Sequence, residues 1–522
     1  ARASLALQAD GESRFQYNPR FRLAAAGIQR GKVVDRNGVL LATSRWKDVT
    51  ARREVLKRLG IDIDRACLAT DARHYPFGGV TFHVLGDLVS RKNWGATNTA
   101  YVERSHDAFM SGYDDHARVV TIHDPRTSKS SRVVRRDLSE LVPLWRHRHQ
   151  PRHPSVRALV NRERDLTLTI DVRLQARATT LLREQLLAAG LTRGSVVVLD
   201  PENGELLACV SQPAPEGPLR GSRRTTGVEA RLAAGDGSGA AVDPAAGPLL
   251  DRARFGLYPP GSTFKLVTAA AALTADPELR RARFSCSPLA GGRAGAVVDG
   301  RLVRDDVGHD AHGSIGMEEA MTASCNAYYA QLGRAVGWPA LREMGRGFGI
   351  SMGDPQNAAG QRAHAIESAY GQAQVVATPV AMARVAASMA AGGKLPTSHV
   401  VLKPAAAAAE SMVVGPGTAS AVARMMRGVV ERGTARRIAA TRPAIAGKTG
   451  TAEIQNGASH AWFIGYAPYG PAAASSGNDG PHPAPGRRIA FSILIENGGY
   501  GGGHATELAG RIVAEARRLG II

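Results

Sequence analysis

The chain has 522 residues, too many for one ordinary core, so two or three domains are expected. Its 44% hydrophobic content is that of globular protein, and no run reaches the roughly 18 to 20 apolar residues that a membrane span needs. The formal charge of +20 points to an anionic surface such as membrane lipid or cell-wall polymer, or else to an Arg-biased solvated surface; no nucleic-acid-binding motif accompanies it.

Residues 1–22 are polar without a clear period and read as a stalk. Asn37-Gly38, between apolar runs, predicts a hairpin whose type I′ turn places both residues at positive φ. A mixed segment continues to about residue 140, and 144–154, crowded with Arg, His and Pro, reads as a linker. His147 and His149 lack carboxylate or cysteine company there, so a solvated basic loop is the expectation rather than a metal site.

A second domain follows. Residues 166–170 alternate like a strand, and Asp171 is placed to cap a helix reaching about residue 189. Residues 195–200 and 205–210 predict two strands joined by the turn Pro201-Glu202-Asn203-Gly204. Residues 212–248 are rich in Gly, Pro, Ala and Arg and read as a long loop or insertion. Tyr258-Pro259-Pro260-Gly261 stops whatever precedes it, and an apolar helix carrying Ser262 and Lys265 begins there. Residues 316–348 predict helices, with Ser324-Cys325-Asn326 near a junction between them. Residues 365–390 read as helix broken at Thr378-Pro379, and the alanine-rich 404–409 as surface linker. Strands are expected at 444–454, 461–467 and 488–496, with a Gly/Pro/Ser loop over 469–486 and an amphipathic helix over 506–519. An antiparallel sheet built from strands at both ends of this domain, covered by its helical middle, fits the order, an α+β class. The four cysteines (67, 209, 286 and 325) show no C-x-x-C spacing; they read as small buried residues, neither a disulfide framework nor a zinc site.

Three short motifs stand in order: Ser262-Thr263-Phe264-Lys265, Ser324-Cys325-Asn326 and Lys448-Thr449-Gly450. Only nine of the 66 basic residues are lysines, and two of them fall in these motifs. Ser-x-x-Lys sets a hydroxyl and an amine on one helix face. A serine at its free pKa is a weak nucleophile and needs a base within hydrogen-bond reach. Lys265 can serve if its amine is neutral, and burial together with the charge of Lys448 would favour that form. The free N–H of Ser262 at the helix start, with that of Thr451, can receive an oxyanion. Ser324 can relay a proton from Lys265 to a leaving group, and Asn326 can hold a substrate amide. Thr449, Thr451 and Lys448 suit a carboxylate, and Gly450 on an exposed edge strand would let a peptide lie alongside. The earlier glycine that a Walker A loop needs is replaced by Arg442, so this is not a Walker A loop. Read singly, each motif also fits a bland structure: a snorkelling lysine, a helix cap, a strand end.

At these residues the chain resembles the monofunctional class B penicillin-binding proteins. Arg30-Gly31 with Asp35-Arg36-Asn37-Gly38 looks like the opening of their pedestal module, and Tyr75-Pro76 through Gly86 like a further pedestal block. Leu168-Thr169-Ile170-Asp171 with Gln175, residues 258–265, Gly371-Gln372, 448–453 and 460–468 look like transpeptidase-domain blocks. The resemblance implies a stalk over 1–22, a smaller mixed α/β pedestal over 23–160, and a transpeptidase domain over 161–522 with helices on both faces of an antiparallel sheet. It implies peptidoglycan D,D-transpeptidation: Ser262 is acylated by a stem peptide ending in two D-alanines, and an amine of a neighbouring stem takes the acyl group. β-Lactams would acylate the same serine. No metal or organic cofactor is implied. A membrane glycan polymerase is the implied partner, and the implied location is outside the cytoplasmic membrane on an N-terminal anchor absent from this chain. The pedestal is shorter than in many relatives, which leaves its partner surface open, and the 212–248 insertion has no counterpart in the pattern. Rival readings use the same parts. A class A β-lactamase would need Glu-x-x-x-Asn after Ser324, and Glu343 and Glu367 lack the asparagine. A D,D-carboxypeptidase or a β-lactam sensor would need the same residues and stays open.

Overall fold

The computed structural model describes the chain except for residues 1–3, 8–12, 89–100, 124–129, 216–246, 291, 307–309, 404–409, 456 and 471–486. Most of the 212–248 and 469–486 loops, and all of the alanine-rich 404–409, thus lie outside the described residues. The described residues form two compact units, one from residues up to 78 together with 84–168, the other from 79–83 together with 169–522.

In the first unit, ordered elements begin inside the segment read as a stalk. Ser4–Leu7 pairs antiparallel with Ser13–Gln16, and the helix Pro19–Ala26 follows, capped by the Asn18 side chain. Phe21 on that helix joins Leu138, Leu141 and Leu159 in a small core. Residues 144–154 are not an extended linker: Leu144 and Trp145 lie on the helix Val142–Arg146 and pack on this core. The segment's Arg and His content hid two apolar side chains on one helical turn.

The hairpin at Asn37-Gly38 forms between Val33–Val34 and Leu40–Ala42, but not through a type I′ turn. Gly38 has φ 78° while Asn37 is not at positive φ. The buried Asp35 carboxylate is the reason. Its Oδ1 accepts the N–H groups of Asn37 and Val39, both at 2.8 Å, and this holds a wider loop closed by Asp35 N–H to Val39 C=O at 2.9 Å. Arg30 and Arg73 converge on a single carboxylate, Glu103. Arg30 donates to Glu103 Oε2 from Nε at 2.9 Å and from Nη2 at 2.7 Å, and Arg73 Nε donates to Oε1. The side chains of Arg73 and Glu103 are fully buried.

The second unit is built on five antiparallel strands in the order Ala446–Ala452, His460–Ala467, Ile489–Ile495, Gly194–Leu199, Leu206–Gln212. Strands from both ends of the unit therefore lie side by side, as the alternating patterns predict. Every residue of His460–Ala467 and Ile489–Ile495 is buried. Side chains alternate between faces, so both faces of the sheet are covered. Val172–Ala188, capped by Asp171, packs with His504–Arg518 and with the sheet, and Pro379–Ala390 packs on the sheet separately from that pair. The helix Lys265–Ala275, buried from Lys265 to Leu273, is wrapped by Asn326–Val336, Trp338–Gly347 and Pro416–Glu431. Its small side chains (Ala269 to Ala272) allow that close wrapping. No helix among the described residues is long and apolar enough to cross a membrane.

The Arg30–Glu103–Arg73 cluster yields a stability test. Removing the shared carboxylate takes away the ion-pair partner of the buried Arg73 guanidinium, while Arg30 keeps Asp107, and breaking a buried pair costs about 3–5 kcal/mol. Glu103→Ala should lower the urea-unfolding free energy of the first unit by about that much. A loss below about 1 kcal/mol, the range of a surface pair, would contradict the argument.

Candidate active site

The segment that carries the first motif is held by backbone contacts on both sides. Tyr258 pairs with Ala377, and Gly261 N–H donates to the Gly371 carbonyl at 3.1 Å. Gly261 has φ 53°, and a Cβ there would stand 2.4 Å from the Thr451 carbonyl oxygen. A side chain at 261 would thus push the serine away from the third motif. Gly261–Phe264 forms a 3-10 turn, and the α-helix proper begins at Lys265. Ser262 therefore sits on a tighter turn than the expected α-helix, and the hydroxyl and the amine still meet at 3.0 Å.

The second motif lies at a helix junction, as its spacing predicts. Met317–Ala323 ends at Ser324 and Asn326–Val336 begins two residues later. Ser324 is held at φ 61°, a left-handed conformation that a serine adopts only under constraint from its surroundings. That turn brings its carbonyl and its hydroxyl to the same point. Lys265 Nζ donates to the Ser324 carbonyl at 2.5 Å and to Asn326 Oδ1 at 2.7 Å, and lies 3.3 Å from Ser324 Oγ. Lys448 Nζ donates to Ser324 Oγ at 2.8 Å and to its neighbour's carbonyl, Thr449 O, at 3.0 Å.

The third motif lies on the sheet's edge strand, Ala446–Ala452, in register with His460–Ala467. The edge is not exposed over most of its length. Lys448 is fully buried and Thr449 is 3% exposed; only Thr451 is partly open. The role expected for Gly450 also changes. A Cβ there would meet Thr263 Cγ2 at 2.8 Å and the Pro260 carbonyl at 3.0 Å. The glycine lets the serine's own turn pack on the strand. Thr449 Oγ1 is 2.6 Å from Thr434 Oγ1, and Thr451 Oγ1 accepts from Gly501 N–H at 3.2 Å. Asn326 is turned inward: its oxygen takes Lys265 and its Nδ2 donates to the Arg304 carbonyl at 3.1 Å.

Both lysines are fully buried. Burial disfavours the charged amine and lowers Lys265 to about 8, against an upward pull from Asp305 and Asp306. Burial, and then the charge of Lys265, hold Lys448 well below the ordinary lysine value. Hydrogen-bond capacity points the same way for Lys265. The Ser324 and Asn326 carbonyl oxygens can only accept, so they take two N–H groups. In the neutral amine that leaves a lone pair, and the remaining neighbour at 3.0 Å is the Ser262 hydroxyl, which can donate to it. The constellation is a serine O–H facing a desolvated amine, with a second hydroxyl bridging two amines.

Some contributors were invisible in the sequence. Thr434 meets Thr449 across the strand edge, and no spacing rule links the two. Buried Asp305 accepts from the N–H groups of Asn326 and Ala327 and so fixes the start of the second-motif helix. All four cysteines are buried, as read, and none is joined in a disulfide. Two of them, Cys286 and Cys325, lie together with Asp305 and His312, a set of possible metal ligands that cysteine spacing did not reveal. Beside the site opens a cleft of about 1140 Å³, whose lining includes Arg283, His312, Arg432, Thr434 and Tyr500.

Over residues 194–476 the chain matches the family described as penicillin binding protein transpeptidase domain. Peptidoglycan D,D-transpeptidase PbpA of Mycobacterium tuberculosis is 32% identical over 361 residues, covering 63% of this chain and 68% of that protein. Peptidoglycan D,D-transpeptidase MrdA of Acinetobacter baumannii is 25% identical over 500 residues, covering 83% of this chain and 64% of that protein. The penicillin G acyl-enzyme structure of penicillin-binding protein A from M. tuberculosis superposes with a TM-score of 0.64 at 25% identity, covering 94% of this chain and 100% of that one.

Lysine side-chain NMR tests the electrostatics directly. One resonance, lost in Lys265→Met, should titrate near 8. A Lys265 resonance titrating at the ordinary value of 10.5 would remove the neutral amine from the argument.

Proposed function

The chain belongs to the penicillin-binding protein transpeptidase family, and we propose that it is a peptidoglycan D,D-transpeptidase that works through an acyl-enzyme on Ser262. The observation that carries this reading is the 3.0 Å approach of Ser262 Oγ to a buried Lys265 amine whose N–H groups are engaged elsewhere. Lys265 takes the hydroxyl proton as Ser262 Oγ attacks the carbonyl between two terminal D-alanines. A bond forms from Oγ to carbon, and the carbonyl electrons move onto oxygen. The N–H groups of Ser262 and Thr451 hold that oxyanion, since charge that develops in the transition state is best met by donors already in place. As the tetrahedral intermediate collapses, the carbon–nitrogen bond breaks, and the proton passes from Lys265 through Ser324 Oγ to the departing D-alanine. An amine of a neighbouring stem peptide then attacks the ester and restores the serine.

The other motif residues follow from their contacts. Lys448 orients Ser324 by donating to its hydroxyl. Thr449 and Thr451 offer hydroxyls to the substrate carboxylate. Asn326 positions Lys265 through its oxygen, and Gly450 keeps the serine turn against the strand. β-Lactams acylate the same serine, in keeping with the penicillin-bound relative. In this reading the substrate is the cross-linkable stem peptide of the bacterial wall, and the enzyme works outside the cytoplasmic membrane. A membrane glycan polymerase is the proposed partner for the first unit; the relatives' names, all peptidoglycan D,D-transpeptidases, support the pathway rather than the pairing.

A fluorescent penicillin should label the protein covalently and release slowly, and Ser262→Ala should abolish the label. Lys265→Ala should slow acylation by about 10²–10⁴-fold, the usual worth of a positioned base. The acylation rate should rise with pH through the lysine's value near 8, because the neutral amine is the active form and its fraction grows as protons are removed. A stem-peptide thioester offered with a D-amino-acid acceptor should give the aminolysis product by mass spectrometry. Label on Ser262→Ala would overturn the nucleophile, and hydrolysis without aminolysis would make the enzyme a carboxypeptidase.

A further inference from the structure

Four side chains from four separate segments share one small volume behind the Ser324–Asn326 turn. Cys286 lies on the strand Phe284–Pro288, and Asp305 follows the strand Arg301–Arg304. His312 precedes the strand Gly313–Ile315, and Cys325 starts the helix Asn326–Val336. One donor atom of each lies within 4.8 Å of the other three. Cys286 Sγ is 3.3 Å from Asp305 Oδ2, His312 Nδ1 is 3.4 Å from Cys286 Sγ, and His312 Nδ1 is 3.2 Å from Asp305 Oδ2.

A hydrogen-bonded structural cluster would also bring such groups together. Three features favour an ion. Tetrahedral ligands at about 2.0–2.3 Å from a metal stand about 3.3–3.8 Å apart; the Cys286, Asp305 and His312 atoms stand 3.2–3.4 Å apart, and the Cys325 sulfur completes the set within 4.8 Å. The mix of two sulfurs, one imidazole and one carboxylate is the donor chemistry of zinc, not of calcium or magnesium. The outer contacts are already made: Asp305 Oδ1 accepts from Asn326 and Ala327 N–H, which leaves Oδ2 turned toward the cluster. Cys286, Asp305 and Cys325 are all buried, while the His312 side chain is 20% exposed on the wall of the 1140 Å³ cleft and offers an entry path.

We propose that Cys286, Asp305, His312 and Cys325 bind one zinc-type divalent cation, with both cysteines as thiolates, and that the ion fixes the Ser324–Asn326 turn. Binding releases the two thiol protons to solvent. Two thiolates and a carboxylate around a doubly charged ion leave one net negative charge. That charge faces Lys265, whose amine already interacts with Asp305, and the start of an eleven-residue helix. The ion ties Cys325 to three segments that otherwise reach it only through weak thiol contacts. It thereby holds the two neighbours of Cys325, Ser324 and Asn326, that position both lysines. The site stands on its own ligands and does not depend on the acyl-transfer reading.

Cobalt(II) added to the full chain, reduced and stripped of metal, is the probe. One equivalent should bind tightly and produce a sulfur-to-cobalt charge-transfer band with the visible absorption of a tetrahedral site. Cys286→Ser should weaken that band, and His312→Ala, at the accessible ligand, should weaken cobalt affinity by more than about 100-fold, the upper end for losing even an outer-shell partner. Zinc should raise the melting temperature of the wild-type protein and not that of His312→Ala. The proposal is overturned if folded wild-type protein, verified by circular dichroism, gives no charge-transfer band, or if both variants keep the wild-type spectrum and affinity. Loss of penicillin labelling with the metal spectrum intact would instead count against the acyl-transfer reading alone.

Discussion

Two lysine amines are buried together, and the structure of the site follows from what that costs. An ammonium taken out of water loses several kcal/mol of hydration unless it is paired or becomes neutral. Among the described residues neither Lys265 nor Lys448 forms a salt bridge with a carboxylate; each faces hydroxyl and carbonyl oxygens. Neutralisation is then the easier response for at least one of them. A neutral amine is what a serine nucleophile requires of its base, so the energetic cost of burial and the chemical requirement are met by the same change.

Holding that arrangement takes segments that are distant in the chain. The serine turn, the helix junction at 324–326 and the edge strand at 446–452 meet around the Lys265 helix, which packs against Asn326–Val336, the helix that begins at the second motif, and against Pro416–Glu431, the helix that lies along the strand of the third. Contact between the serine turn and the strand is backbone to backbone, and glycines at 261 and 450 permit it. The strand's amides and hydroxyls are therefore set against the serine by packing, before any substrate arrives.

The legible parts of this protein were those written in local sequence. Strand alternation at 195–200, 461–467 and 488–496 exposed the sheet, because each strand carries its own apolar run. Asp171 announced its helix, because a cap acts on residues two and three positions away. Ser262, Lys265, Ser324 and Lys448 were recognisable by type and order, and the structure brings them within hydrogen-bonding distance. The less legible parts depend on contacts across the fold. Thr434 reaches Thr449 only through the helix Pro416–Glu431 laid along the edge strand. The set around Asp305 spans 286 to 325 with no repeated spacing, so cysteine arithmetic missed it. Turn details failed for a related reason: Asn37-Gly38 reads as type I′ until the buried Asp35 carboxylate takes the loop's N–H groups for itself.

The two lysines are not interchangeable, and Ser324 is what separates them. Lys448 donates to Ser324 Oγ at 2.8 Å and so occupies one acceptor position of that hydroxyl. The hydroxyl's own proton is then free to point elsewhere, and Lys265 lies 3.3 Å away. In the proposed reaction this hydroxyl carries the proton from Lys265 to the departing D-alanine, while Lys448 keeps to its acceptor side. Of the two lysines Lys265 is the one that touches Ser262, so in the proposed reaction it is the one that removes the serine's proton. Lys448 acts one hydrogen bond further out, as the donor that orients the relay. A Lys448→Arg exchange would lose that geometry, because a planar guanidinium cannot donate from a single point to both Ser324 Oγ and the Thr449 carbonyl behind it.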